Sequence, residues 1–277
     1  MKTTSNSVTF GFTVAVINDC RDTNARTRQE SRFQAQLMKA RILSLPRFIG
    51  VEHDCEAALN LVDQIDAIGE ASGAIATNVA HRNGDAHKLG NGTKFCCFQY
   101  EKIWNISTIG GATLSLVKKL GVAKSVFVIH LDDAVKRMVG DGFISKVVAE
   151  EIADSQFRSF DFVPRALAYV MSGKELCCTE VPIDKIVQDS QPVIAVIDCF
   201  GNGKTTLLAS ELKVENGHVQ TAFGRLPFFK RLADAPDETL AVIQGSSGLP
   251  GKRFAEIVAN GGRAADQLGF KVGDNIY

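Results

Sequence analysis

The sequence predicts an α/β layered domain followed by a small all-β, barrel-like domain. Three observations carry that expectation. Apolar, β-branched runs alternate with helix-periodic segments as far as about residue 175. A polar stretch bounded by prolines, VPIDKIVQDSQP (181–192), then interrupts the chain. Beyond it, turn signals separate short strand-like runs, and Asn216-Gly217 is the strongest hairpin signal among them. The expected division is 1–180 for the α/β domain, 181–192 for a linker and 193–277 for the β domain.

The elements follow in order. Residues 8–17 alternate and are rich in β-formers, giving a first strand that leaves at Asn18-Asp19. Helical spacing with polar faces marks 27–43, and Phe48 to Val51 reads as a second strand. EAALNLVDQIDAI (56–68) is an amphipathic helix, with Asp54 as its expected N-cap. Gly73 to Val79 is a third strand, and 83–92 is a Gly/Asn-rich loop. Residues 95–98 and 103–106 pair as a hairpin, 112–120 is a helix stopped by Gly121, and Val126 to Leu131 is a buried strand. Residues 145–153 and 163–171 are helical. In the second domain, strands are expected within 212–223, 225–231, 239–244 and 254–258, with a short Ala-rich helix after Asn260-Gly261-Gly262.

The 277 residues carry 31 basic and 31 acidic side chains, so nothing in the charge balance points to nucleic acid or to an anionic membrane. The polar start lacks the apolar core of a signal peptide, and Val14 to Ile17 is too short to span a bilayer. A cytoplasmic protein is expected. Seven cysteines, with two adjacent pairs and no C-x-x-C, suit neither a zinc site nor a disulfide framework. No metal is expected, and the thiols read as small buried hydrophobes.

The stretch PVIAVIDCFGNGKTT (192–206) admits two readings. Gly203-Lys204-Thr205 after an apolar run resembles the end of a phosphate loop, which would make the chain a nucleotide hydrolase. The place of that loop's first glycine, however, is taken by Asp198, whose carboxylate repels phosphate. Read instead as D-x-F-G-N (Asp198, Phe200, Gly201, Asn202), then GSSG (245–248) and ANGGRAADQLGFKVGD (259–274), the region resembles another family. That family is the S-adenosylmethionine hydroxide adenosyltransferases, which include the fluorinases and chlorinases. The resemblance runs nearly end to end over 192–277 and is weaker before it, at FIGVEHD (48–54) and FRSFDFVPRALAYVMSG (157–173).

The resemblance implies substitution at C5′ of S-adenosylmethionine. Methionine leaves as a neutral thioether, so the leaving group needs no acid. The site must hold a desolvated nucleophile in line with the C5′–S bond. S-adenosylmethionine is then the substrate and no separate cofactor is required. The resemblance further implies a homotrimer, with each site formed between the N-terminal domain of one subunit and the C-terminal domain of the next.

Position by position, Asp19 matches the acid that holds the ribose hydroxyls, and Asp198 the one that meets the methionine ammonium. Phe200 and Asn202 match the wall and polar contact of the nucleoside. Ser246 and Ser247 match the grip on the methionine end. Ala259, Asn260 and Gly261 match the loop that reads the adenine edge. The water-activating Asp, Arg and His of hydroxide-transferring members are replaced. The F-H-G-R-D motif carries Arg158 and Phe160 in place of its His and Arg, 79–84 keeps no clear Asp, and Pro-Asp-Asn is lost at Thr108 to Gly110. The catalytic candidates are therefore Ser159, which falls where halogenating members contact the halide, Arg158 beside it as an anion holder, and His81. His81 and His87 lie on the Gly-rich loop, and histidine as a residue type ordinarily titrates near neutral pH. The expectation is a divergent enzyme that uses water to give adenosine and L-methionine, with halide as the other nucleophile. The alternative is a binding protein that keeps the adenosyl pocket without catalysis.

Overall fold

The computed structural model describes residues 11–80 and 93–277. His81, His87 and the Gly/Asn-rich loop around them lie outside the described residues. In chain order the first elements are β1 (Thr13–Asn18), α1 (Thr23–Lys39), β2 (Arg47–Gly50), α2 (Asp54–Ile68), β3 (Gly73–Asn78), β4 (Phe95–Tyr100), β5 (Ile103–Thr108), α3 (Ser115–Leu120) and β6 (Ser125–Ile129). They are followed by α4 (Leu131–Gly140), α5 (Lys146–Asp154), α6 (Arg158–Asp161), α7 (Val163–Met171), β7 (Cys178–Pro182), β8 (Ile194–Ile197) and β9 (Gly203–Leu208). The last are β10 (Val214–Glu215), β11 (His218–Thr221), β12 (Gly224–Phe229), β13 (Leu240–Leu249), β14 (Lys252–Ala259) and α8 (Ala264–Leu268).

Two compact units emerge. One takes the chain through Gly50, then Ile68–Thr108 and Ser125–Pro182; the other takes Val51–Ala67, Ile109–Lys124 and Ile183–Tyr277. The second unit thus begins its long stretch inside the expected linker and also includes two pieces from within 1–180.

The first unit is built on a seven-stranded sheet of order β2-β1-β3-β5-β4-β6-β7. The β2, β1, β3 and β5 strands run parallel, while β4, β6 and β7 add antiparallel pairings. Every residue of β1 but its first is buried, as befits a strand covered on both faces. Helices α1 and α7 pack on one another, and α7 meets β3 and β5. Asp22 caps α1 through Ala25 N–H at 3.0 Å. The sequence predicts a strand through Leu131; β6 stops at Ile129, and α4 starts at Leu131 with Asp132 and Asp133 in its first turn and Arg137 in its last.

Tyr169 on α7 is fully buried, and its hydroxyl donates to Asp141 Oδ2 at 2.6 Å. Burial and the Asp141 carboxylate push this phenol up to about 12. Tyr169→Phe is expected to lower stability by about 1 kcal/mol in urea unfolding. An unchanged midpoint would show that the bond contributes nothing.

The second unit carries the other seven-stranded sheet, β10-β11-β12-β13-β14-β9-β8. It is open rather than barrel-like. Among the described residues no pairing joins its edge strands, β10 and β8. Closure needs long, staggered pairings all round, whereas β10 has two residues and β12 meets β13 through two residue pairs. The Asn216-Gly217 turn does form the β10–β11 hairpin, with φ of 49° and 74°. Asp54 is the first residue of α2 rather than its cap, and its Oδ2 accepts from Ala112 N–H at 2.8 Å. Glu56 instead closes the helix start, accepting from Glu52 N–H at 2.6 Å and His53 N–H at 2.9 Å. No disulfide joins the seven cysteines. Cys55, Cys96 and Cys97 are buried, as small hydrophobes should be, but Cys20 and Cys199 are exposed.

Candidate functional site

In the second unit, β8 turns back into β9 through residues 198–202, and Asp198 builds the turn. Its Oδ1 accepts from the backbone N–H groups of Phe200 and Asn202, both at 2.9 Å, and its Oδ2 from the Asn202 amide at 3.3 Å. Gly201 has φ of 80°, and a Cβ there would stand 2.8 Å from Arg263 Cβ. Only glycine lets this turn lie against the segment that opens α8. Arg263 Nη1 donates to Cys199 O at 2.9 Å, and Ala265 N–H to Gly201 O at 2.9 Å. Two motifs far apart in sequence, D-x-F-G-N and A-N-G-G-x-A-A, are thereby joined. On this joint Phe200 is 69% exposed, while Asn202 is 9% exposed and its Oδ1 has no hydrogen-bond partner among the described residues.

The same geometry overturns the phosphate-loop reading. Gly203–Leu208 is a strand, so no helix follows the glycine turn, and Lys204 stands opposite Glu256 in the β9–β14 register.

The twin serines part company. Both lie at an irregularity between Gln244 and Gly248 in the β13–β14 pairing. Ser246 is exposed. Ser247 is buried; its hydroxyl donates to Asp63 Oδ2 at 2.8 Å, and Gly248 N–H donates to Asp63 Oδ1 at 2.9 Å. Arg253 bridges Asp66 Oδ2 and Ser246 O, each at 2.8 Å. Sequence reasoning missed Asp63 and Asp66. Their spacing places them on one face of α2, but nothing local indicates what that face meets.

Asn260 holds the preceding loop. Its N–H donates to Thr239 O at 3.0 Å, its carbonyl accepts from Glu238 N–H at 2.8 Å, and its Nδ2 donates to Ala235 O at 2.8 Å. Ala259 is buried at the end of β14, and Gly261 is in the left-handed region with φ of 78°.

Charge gathers beneath this surface. Glu256 is 8% exposed; burial pushes its carboxyl up, and the charges of Asp198 and Asp63 push the same way against Lys204. Burial also raises Asp63, against the hydrogen bonds from Gly248 and Ser247.

In the first unit, Asp19 follows the carboxyl end of β1, and its Oδ2 accepts from Ala80 N–H, just past β3, at 2.9 Å. Carboxyl ends of parallel strands are where open α/β sheets bind ligands. Ser159 lines a cavity of about 360 Å³ with Cys20, Arg28, Gln29, Phe157 and Phe160 among its neighbours. Arg158 lines a different cavity, of about 430 Å³, with Lys94, His130, Asp132 and Lys136. Burial lowers the Arg158 guanidinium, opposed by Asp132. The two adjacent residues point into separate spaces, so the geometry does not give them one shared anion. The third catalytic candidate, His81, lies outside the described residues.

Among the described residues, no helix is long and apolar enough to cross a membrane, and no group of three or more His, Cys, Asp or Glu could hold a metal. The fold is shared with the crystal structure of an uncharacterized conserved protein from Thermotoga maritima (TM-score 0.65, 16% identity, covering 94% of this chain and 98% of that one). It is also shared with a conserved hypothetical protein from Thermus thermophilus (TM-score 0.57, 16% identity, covering 95% of this chain and 97% of that one). No curated protein sequence matches the chain. Residues 193–277 match the family model described as the SAM hydroxide adenosyltransferase C-terminal domain. The stretch that holds the Asp198 turn, the Ser246-Ser247 irregularity and the loop after β14 is therefore similar to the C-terminal domain of the SAM hydroxide adenosyltransferases.

Proposed function

We propose that this chain cleaves S-adenosylmethionine by displacement at C5′, with water as nucleophile, giving adenosine and L-methionine. The observation that carries this reading is the joint between the Asp198 turn and the start of α8, within the matched domain. It presents a carboxylate, an exposed aromatic ring and an unpartnered amide oxygen together. A substrate with a ring to stack, an ammonium and a nucleoside O–H or N–H donor satisfies all three.

In the reaction, a lone pair of the water oxygen attacks C5′ as the C5′–S bond breaks. The bonding pair passes to sulfur, which leaves neutral, and one proton is lost to solvent. Asp198 meets the ammonium, Phe200 and Asn202 meet the nucleoside, and Asp19 holds the ribose hydroxyls. Ala259, Asn260 and Gly261 border the adenine, and Ser246 the methionine end. The N-terminal residues complete the C-terminal ones of a neighbouring subunit in a homotrimer, a mass that sedimentation would reveal.

Purified protein given S-adenosylmethionine should release adenosine and methionine in equal amounts. No nucleoside above the protein-free rate would defeat the reading. A second reading, binding without turnover, is favoured by Arg158 and Phe160 standing in place of the water-activating His and Arg. Heat of binding by calorimetry, without product, would select it.

A further inference from the structure

Gln29 is a buried polar residue of the first unit. It lies on α1 among Arg26, Arg28, Glu30 and Arg32, where a polar side chain is ordinarily solvated, yet it is 4% exposed. Its Nε2 donates to Ser159 Oγ at 3.3 Å. Its Oε1 is buried with no hydrogen-bond partner among the described residues. Both residues line the cavity of about 360 Å³, and so does Cys20, the neighbour of Asp19. A buried polar atom without a partner is costly and is ordinarily satisfied by water or a ligand.

We propose that Gln29 and Ser159 hold the attacking water of the displacement, and that Gln29 Oε1 selects this neutral nucleophile over a halide. The inference rests on the function proposed above. Water donates one O–H to Oε1. The Ser159 hydroxyl, already accepting from Gln29, donates its own hydrogen to one lone pair of the water, and the other lone pair attacks C5′. Gln29 takes no proton, because an amide oxygen is too weak a base; the proton leaves to solvent as the O–C5′ bond forms and the pair on the C5′–S bond goes to sulfur. A halide has no hydrogen to give Oε1 and faces the negative end of the amide dipole. The cation lining the cavity, Arg28, is placed over the Phe160 ring at 4.7 Å. Gln29 is thus a positioning and specificity-determining residue, which the sequence motifs do not mark.

The test compares wild type with Gln29→Met, which keeps the length and removes the acceptor, and with Ser159→Ala. Crystals grown with sodium bromide should show a water bonded to Gln29 Oε1 and Ser159 Oγ in the wild type, with no anomalous bromide peak there. The water should be lost in Gln29→Met. With S-adenosylmethionine, Gln29→Met should lower kcat about tenfold, the scale of one hydrogen bond, and leave KM unchanged, as suits a residue that touches the nucleophile alone. High chloride or fluoride should yield no 5′-halogenated nucleoside from the wild type. Bromide beside Ser159, a dry cavity, or full kcat in Gln29→Met would overturn the proposal. Water in place with no nucleoside formed would instead overturn the function on which it rests.

Discussion

Asp198→Ala is expected to weaken S-adenosylmethionine binding about a hundredfold, the scale of removing one partner of a charge-assisted contact. Two effects combine. On the proposed function the carboxylate that would meet the ammonium is gone, and the N–H groups of Phe200 and Asn202, each held at 2.9 Å, lose their acceptor. The turn then no longer holds Phe200 and Asn202 in place, and stability falls by about 1–2 kcal/mol. Asp198→Asn separates the two, because its amide oxygen still serves both backbone donors, and its NH2 group is met by the Asn202 oxygen once that amide flips, while the charge is removed. It should keep wild-type stability and bind about tenfold more weakly. Calorimetry on both variants decides the matter. Wild-type affinity in Asp198→Asn would mean that the carboxylate serves the turn alone.

What was legible in the sequence was what local chemistry determines. The α7 helix was readable over Val163–Met171 because its apolar run has helical length and is followed by Ser172-Gly173. Asn216-Gly217 fixed a hairpin because both residues accept positive φ. The C-terminal motifs were readable through their resemblance to a known family, and the Asp198 and Gly201 of the first are what the turn uses. Four features depended on partners remote in the chain. Gly203–Leu208 looked like the exit of a phosphate loop, and only pairing with both β8 and β14 makes it a strand. The α2 helix looked like part of a contiguous 1–180 domain, whereas Asp63 and Asp66 tie it to the β13–β14 hairpin. Ser247 matches a ligand contact by resemblance, and nothing near it in sequence announces Asp63, the acceptor of its hydroxyl. Gln29 lies in a segment marked only by helical spacing and polar faces, and its partner Ser159 is 130 residues away.

Glu256→Gln is expected to raise the stability of the protein at pH 7 by about 2 kcal/mol, the scale of removing a buried charge. Glu256 is 8% exposed, and its carboxylate makes no hydrogen bond among the described residues. Gly245 lies so close that a Cβ there would stand 2.6 Å from Glu256 Oε2. Burial is the largest cause of its raised pKa, and Asp198 and Asp63 add to it; Lys204 opposes them. The sign of the pH dependence follows. With the folded value above the ordinary 4.5, the folded state binds more protons than the unfolded chain between the two values. Stability therefore declines as pH rises through that window and recovers on mild acidification, with Asp63 acting in the same sense above its ordinary 3.8. Asp141 and Asp234 act oppositely but at lower pH, because their partners hold them below 3.8 and their contribution is lost only as pH falls through those lowered values. Thermal melts of wild type taken from pH 7 down toward the ordinary 4.5 should show Tm rising as the raised carboxyls protonate, and Glu256→Gln should start higher and rise less, leaving the part due to Asp63. A variant that melts lower than wild type at pH 7 would show that Lys204 stabilises the Glu256 charge by more than burial disfavours it.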